Sequence, residues 1–257
     1  MDQMTPLAAL AKRAADAGAR AVADVVATGD LQVGTKRDAN DLVTAADKAA
    51  EVAILEVLAA ERPDDAVLGE ETGAHDGTSG WRWLVDPIDG TVNFVHGRRD
   101  WAVSVGVEHD GAAVAGAVLR PAHGDWVAGE GGEAYGSAGP PAVSGVADLA
   151  RALLSVGFPH PRDRRALAFT LVQELTPRIR DFRRVGSAAC DLVTVATGEL
   201  DAYLGIGMNP WDISGGHAVV LAAGGRCGYV TTGSGLEVFL AANPALYAEL
   251  AALLPEL

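Results

Sequence analysis

A layered α/β fold is what the patterning of this chain predicts, on three observations. Helix-period and strand-period segments alternate along most of the 257 residues; a block of two-residue alternation interrupts them between Trp101 and Ala128; and the notable acids stand where one element ends or another begins.

The elements follow in order. Residues 5 to 28 place Leu7, Leu10, Ala14, Ala17, Ala21 and Val25 at three- and four-residue steps, an amphipathic packing helix that Gly29 can end. A polar stretch from Gly34 carries Lys36 and Asp41 into a second helix near Thr44, where Thr44 and Asp47 have capping spacing, and Pro63 closes that helix. Val67-Leu68-Gly69 reads as a short strand stopping at Glu70 and Glu71, and residues 73 to 80 as a polar loop. Trp83-Leu84-Val85 is the end of a buried strand whose pairing Pro87 is expected to stop.

From Trp101 onward, alternating valines, the turn His109-Asp110-Gly111 and further strands at 114–119 and 126–128 predict an antiparallel meander. Glycine- and proline-rich residues 129 to 145 form its edge, with a lobe boundary there: 1–145 as an N-terminal lobe, 146–257 as a C-terminal one. Strands at 153–158 and 182–185 flank a helix at 163–175, and Gly186-Ser187-Ala188 opens another helix. A strand leads to Gly205, Pro210 starts a helix with Asp212 in its first turn, and strands near 228–230 and 238–241 precede a last helix from Pro244.

Composition narrows the class. A hydrophobic fraction of 49% with 21% charged residues is that of a globular protein. A net charge of -14 argues against non-specific nucleic-acid binding, which needs a basic face. It does not exclude a small phosphorylated substrate where metal ions invert the local field. Cys190 and Cys227 have neither zinc-site nor disulfide-framework spacing, which fits a reducing cytoplasm. No apolar run of membrane-spanning length or secretory leader is evident, so no membrane partner and a cytoplasmic location are expected.

Asp86-Pro87-Ile88-Asp89-Gly90-Thr91 carries the chemistry. Two carboxylates three apart in a tight turn repel each other unless a cation lies between them, and Mg2+ prefers such oxygen ligands. Gly90 permits a close turn, and a helix beginning at Thr91 would direct free N–H groups to the same place. The same residues also suit an ordinary acidic surface turn. Gly186-Ser187 at a helix start suits an anion or a plain α/β connection, and an acid at Asp212 also suits the helix dipole. His96 and His217 read as packing or surface residues as readily as site residues.

Taken together, Gly69-Glu70-Glu71, the run from Asp86 to Gly97 and Trp211-Asp212-Ile213-Ser214-Gly215-Gly216, with Lys36 to Asp47 upstream, resemble the inositol monophosphatase family over residues 7 to 253. The resemblance implies a five-layer α-β-α-β-α sandwich, a homodimer, and a lithium-sensitive phosphomonoesterase using two or three Mg2+ ions. It implies Glu70, Asp86, the Ile88 carbonyl, Asp89 and Asp212 as metal ligands. Asp47 and Thr91 would orient the attacking water, with Glu70 also catalytic. Asp89, Gly90, Thr91, Gly186, Ser187 and Ala188 would bind phosphate and substrate.

One departure concerns the alcohol half of the substrate. Inositol-specific members carry a glutamate seven residues before the last metal-binding aspartate, where this chain has Gly205. Glycine there is expected to leave room. An inositol or other sugar phosphate, histidinol phosphate, an aminocyclitol phosphate and, less readily, a 3'-phosphonucleotide are the substrates in view, and a non-catalytic family member is the alternative from another class.

Overall fold

The computed structural model describes residues 4–35, 42–159 and 162–257, with backbone only at 162–164. Lys36 and Asp41 lie outside the described residues.

The N-terminal part runs α1 (Pro6–Thr28), β1 (Gly34–Thr35), β2 (Leu42–Val43), α2 (Ala45–Glu61), β3 (Ala66–Gly69), β4 (Gly73–His75), β5 (Trp81–Asp89), α3 (Thr91–Val95), β6 (Ala102–His109), β7 (Ala112–Arg120), β8 (Asp125–Glu130) and β9 (Glu133–Gly136). It continues through β10 (Leu153–Gly157), α4 (Arg162–Leu175), β11 (Asp181–Arg183), α5 (Ala188–Ala196), β12 (Ala202–Ile206), α6 (Pro210–Ala222), β13 (Arg226–Thr231), β14 (Glu237–Ala242) and α7 (Pro244–Leu253). Seven strands pair in the order β4-β3-β5-β6-β7-β8-β9, and five in the order β11-β10-β12-β14-β13. The expected meander is β6 to β9, antiparallel throughout.

Side-chain alternation fixes the layers. On the larger sheet Val103, Val105 and Val107 join α1 and α2 in one core, whereas Ala102 and Val118 face α5 and α6. On the smaller sheet Tyr203 joins that middle core, while its neighbour Leu204 packs on the far side with α4 and α7. Strand side chains point alternately to opposite faces, so each sheet is buried on both sides. The result is α1/α2, sheet, α5/α6, sheet, α4/α7. Glycines let the middle layer close: a Cβ on Gly116 would lie 2.8 Å from the Gly215 carbonyl of α6. Among the described residues no helix is long and apolar enough to cross a membrane.

Two local expectations need correction. Residues 73–75, read as loop, form β4 because Val67, Leu68 and Gly69 offer them a free edge. Pro87 does not end β5. Pairing shifts between Asp86↔Ser104 and Asp89↔Ala102, leaving two residues of β5 opposite one of β6. Proline has no N–H for a ladder bond, and a bulge accommodates it without ending the strand.

Candidate active site

That bulge gives the central motif its geometry. In a regular strand, residues three apart face opposite sides; one extra residue returns Asp86 and Asp89 to the same side. Gly90 then turns the chain with φ 92°, and a Cβ there would lie 3.0 Å from the Asp100 carbonyl and 3.1 Å from Ser187 Cβ. Thr91 starts α3, and its hydroxyl faces the Ile88 carbonyl at 3.0 Å and Asp47 Oδ1 at 3.3 Å. Asp47 holds its cap as well, its Oδ2 accepting from the Thr44 N–H at 2.7 Å and the Thr44 hydroxyl at 2.6 Å.

The other acids arrive from separate elements. Glu70 follows the last residue of β3, which runs parallel beside β5, and its N–H donates to the Val85 carbonyl at 3.1 Å. Asp212 stands in the first turn of α6, where its Oδ2 accepts from the Asn209 N–H at 2.7 Å. At the start of α5 the donors turn to Asp89: its Oδ2 accepts from the Ser187 hydroxyl at 2.5 Å and the Ala189 N–H at 2.6 Å. Ser187 also caps α5 by accepting from the Cys190 N–H.

Glu70, Asp86, Ile88, Asp89, Gly90, Thr91, Gly186, Ser187, Ala188 and Asp212 all line one cavity of about 730 Å³. Asp47 reaches it through Thr91. Gly205 does not line it; a Cβ there would meet Met208 Cγ at 2.8 Å and Tyr203 Cε1 at 3.0 Å, so the room expected beside this glycine is filled. His96 lines the cavity, whereas His217 packs edge-on to Phe239, and burial lowers its pKa to about 4.

Electrostatically the site is overloaded. Burial, then the nearby Glu70, Asp89 and Asp212 charges, pushes Asp86 well above the carboxylate range. Asp212 rises for the same reasons, with Asp89 its chief neighbour, and burial lifts Asp89 to about 6 against the pull of Ser187 and Ala189. Asp86 Oδ1 is buried without a hydrogen-bond partner. A divalent cation is the partner that such an orphaned oxygen among mutually repelling acids fits. Among the described residues, no three acidic, histidine or cysteine side chains already converge as a finished chelate. Asp89 and Asp212 each have one oxygen turned to a helix start.

Three functional candidates escape pattern reading. Glu51, fully buried in α2, holds the loop after Glu70: its Oε2 accepts from the Glu71 N–H at 2.9 Å and its Oε1 from the Thr72 N–H at 2.7 Å. Asn93 donates to the Asp100 and Val185 carbonyls at 2.7 and 3.0 Å, tying α3 to the approach to α5. Asp191 lines the cavity, 1% exposed, with Oδ1 on the Ser155 hydroxyl at 2.6 Å and Oδ2 unpartnered. An acid four residues after the cap Ser187 is its one sequence signal.

Known proteins resemble this chain in sequence and in fold. The sequence model of the inositol monophosphatase family matches residues 3–256. The inositol-1-monophosphatase of Mycobacterium leprae is 40% identical over 214 residues, covering 79% of this chain and 73% of that protein. The Nus factor SuhB of Pasteurella multocida is 38% identical over 232 residues, covering 86% and 84%. The crystal structure of the extragenic suppressor protein suhB from Bartonella henselae superposes with a TM-score of 0.86 at 29% identity, covering 98% and 99%. The chain belongs to the inositol monophosphatase family.

Proposed function

We propose that this chain is a Mg2+-dependent phosphomonoesterase acting on a small phosphorylated alcohol of the inositol phosphate and sugar phosphate kind. The observation that carries the reading is the meeting of Glu70, Asp86, Asp89 and Asp212 with the Thr91–Asp47 pair at one cavity. Glu70, Asp86 and the Ile88 carbonyl would hold one Mg2+, and Asp86, Asp89 and Asp212 a second; a third is compatible with the family. When bound, these ions supply positive charge at the attacking and departing oxygens.

The chain's own residues do the positioning. Gly90 and Thr91 N–H groups at the start of α3 hold the phosphate, with Gly186, Ser187 and Ala188 forming the facing wall. Thr91 Oγ1, fixed by Asp47, orients the water. Water oxygen bonds to phosphorus as the ester P–O bond breaks, and the water proton passes to the departing alkoxide. Neither cysteine competes as nucleophile, because burial pushes both thiols far up. The cytoplasmic, homodimeric state belongs to the same reading and is checked by light scattering for the dimer.

The test is phosphate release from a panel of inositol, sugar, amino-alcohol and nucleotide monoesters with and without Mg2+. Metal-dependent release supports the reading; silence across the panel refutes it. Similarity to proteins named Nus factor favours a second, non-catalytic reading, which such silence would leave standing.

A further inference from the structure

The alcohol side of the cavity differs in chemistry from its metal side. Where a polyol-binding wall needs acceptors for neighbouring hydroxyls, β12 and the turn after it present Tyr203 and Met208. Tyr203 directs its hydroxyl to Met208 Sδ at 3.2 Å, and the two fill the space over Gly205. Asp191, buried and held by Ser155 through Oδ1, leaves Oδ2 without a partner, a single acceptor for a substrate hydroxyl rather than the set that neighbouring hydroxyls need.

Next to them stands an aromatic pair, since a Cβ on Gly157, the residue before Phe158, would lie 3.2 Å from Met208 Sδ. Phe158 and Phe169 have ring centroids 4.8 Å apart at 48°, and the Arg184 guanidinium lies 5.4 Å from the Phe158 centroid. Phe169 is 59% exposed, so its ring is open to a ligand entering the cavity. All three line the cavity. Flat π faces beside a guanidinium attract another ring by stacking and cation–π contact.

We propose that the alcohol half of the substrate carries an aromatic ring, which stacks against Phe158 and Phe169. This rests on the phosphomonoesterase reading for the word substrate and replaces its polyol with an aromatic alcohol; the ring subsite itself is a binding site and is tested as one.

The probe is 2-phenylethyl phosphate, compared with myo-inositol 1-phosphate and glycerol 2-phosphate by titration calorimetry in Mg2+, with phosphate release followed in parallel. The expected result is that the aryl ester binds at least about tenfold more tightly than either polyol ester. Phe169→Ser, at an exposed position that cannot unfold the core, should reduce that ratio at least about threefold, and Phe158→Leu should reduce it further. Equal binding of the three esters, or a ratio that survives both substitutions, overturns the ring subsite. Selective aryl binding without hydrolysis of any of the three esters supports the subsite and counts against the phosphatase reading, which the broader panel decides; hydrolysis without aryl selectivity overturns the subsite and supports the phosphatase reading.

Discussion

Thr91 Oγ1 stands 3.3 Å from Asp47 Oδ1 across 44 residues of sequence, and the second oxygen of that carboxylate caps α2 through Thr44. One side chain therefore fixes both a helix start and the hydroxyl assigned to the attacking water. Asp47→Asn should keep much of the cap while weakening the acceptor facing Thr91, and Thr91→Ala should remove the hydroxyl. Both are expected to lower kcat by about 10²-fold or more with little change in KM. A large rise in KM with kcat preserved would instead place the pair in substrate binding.

Asp89→Asn can still accept from Ser187 and the Ala189 N–H, so the anchoring of α5 should persist. The charge is lost. Turnover should fall by at least about 10²-fold for Asp89→Asn and for Asp212→Asn, and the rise in Tm on adding Mg2+ should shrink in both. Near-normal activity with an unchanged Mg2+ response in either variant would refute its role as ligand.

Much of this was legible because it is local. Asp86 to Thr91 is contiguous, so its acids, glycine and helix start could be read together, and the periodicity at Val103–Val107 could be read without a partner strand. What could not be read depends on neighbours distant in sequence. Glu51 gains its role from loop N–H groups 20 and 21 residues away, Asn93 from a carbonyl 92 residues away. Pro87 looked like a stop because only the register against Ser104 and Ala102 reveals the bulge. Gly205 looked like open space because nothing in its own identity shows Met208 folding over it.

Metal removal should have a pH signature. Asp86, Asp89 and Asp212 have folded pKa values above the ordinary 3.8, Asp89 at about 6, so the metal-free folded chain retains protons that the unfolded chain releases. Their contribution to stability is greatest below about pH 4 and declines as pH rises through 6 and beyond. Chelated protein should lose Tm between pH 5 and 8, and Mg2+ should restore more at pH 8 than at pH 5. Thermal melts with EDTA or Mg2+ at each pH check this; an equal Mg2+ gain at both would contradict it.

Glu51 is expected to position Glu70 without touching the substrate. Glu51→Ala would leave the Glu71 and Thr72 N–H groups unanswered, at a cost of at least about 2 kcal/mol. Glu51→Gln keeps the volume but points an NH2 at one of these donors. Denaturant melts should show the loss of stability, and Mg2+ titration should show weaker binding in the glutamine variant. Unchanged metal affinity would confine Glu51 to a packing role.

Asp191 gives the opposite sign from an acid that stabilises by ionising. Burial raises its folded pKa to about 8, outweighing the Ser155 hydrogen bond and the Arg184 charge, whereas the unfolded value is near 3.8. Folded protein then holds a proton through the window from about pH 4 to 8, and stability falls across it as that proton is lost from the unfolded chain first. Asp191→Asn retains an acceptor for Ser155 and has nothing to ionise. Its stability relative to the parent should rise with pH, reaching a gain on the order of 1 kcal/mol or more at pH 8 and little or none at pH 4. Urea melts of both proteins at the two pH values measure the difference, and a gain independent of pH would show that Asp191 is already ionised in the fold.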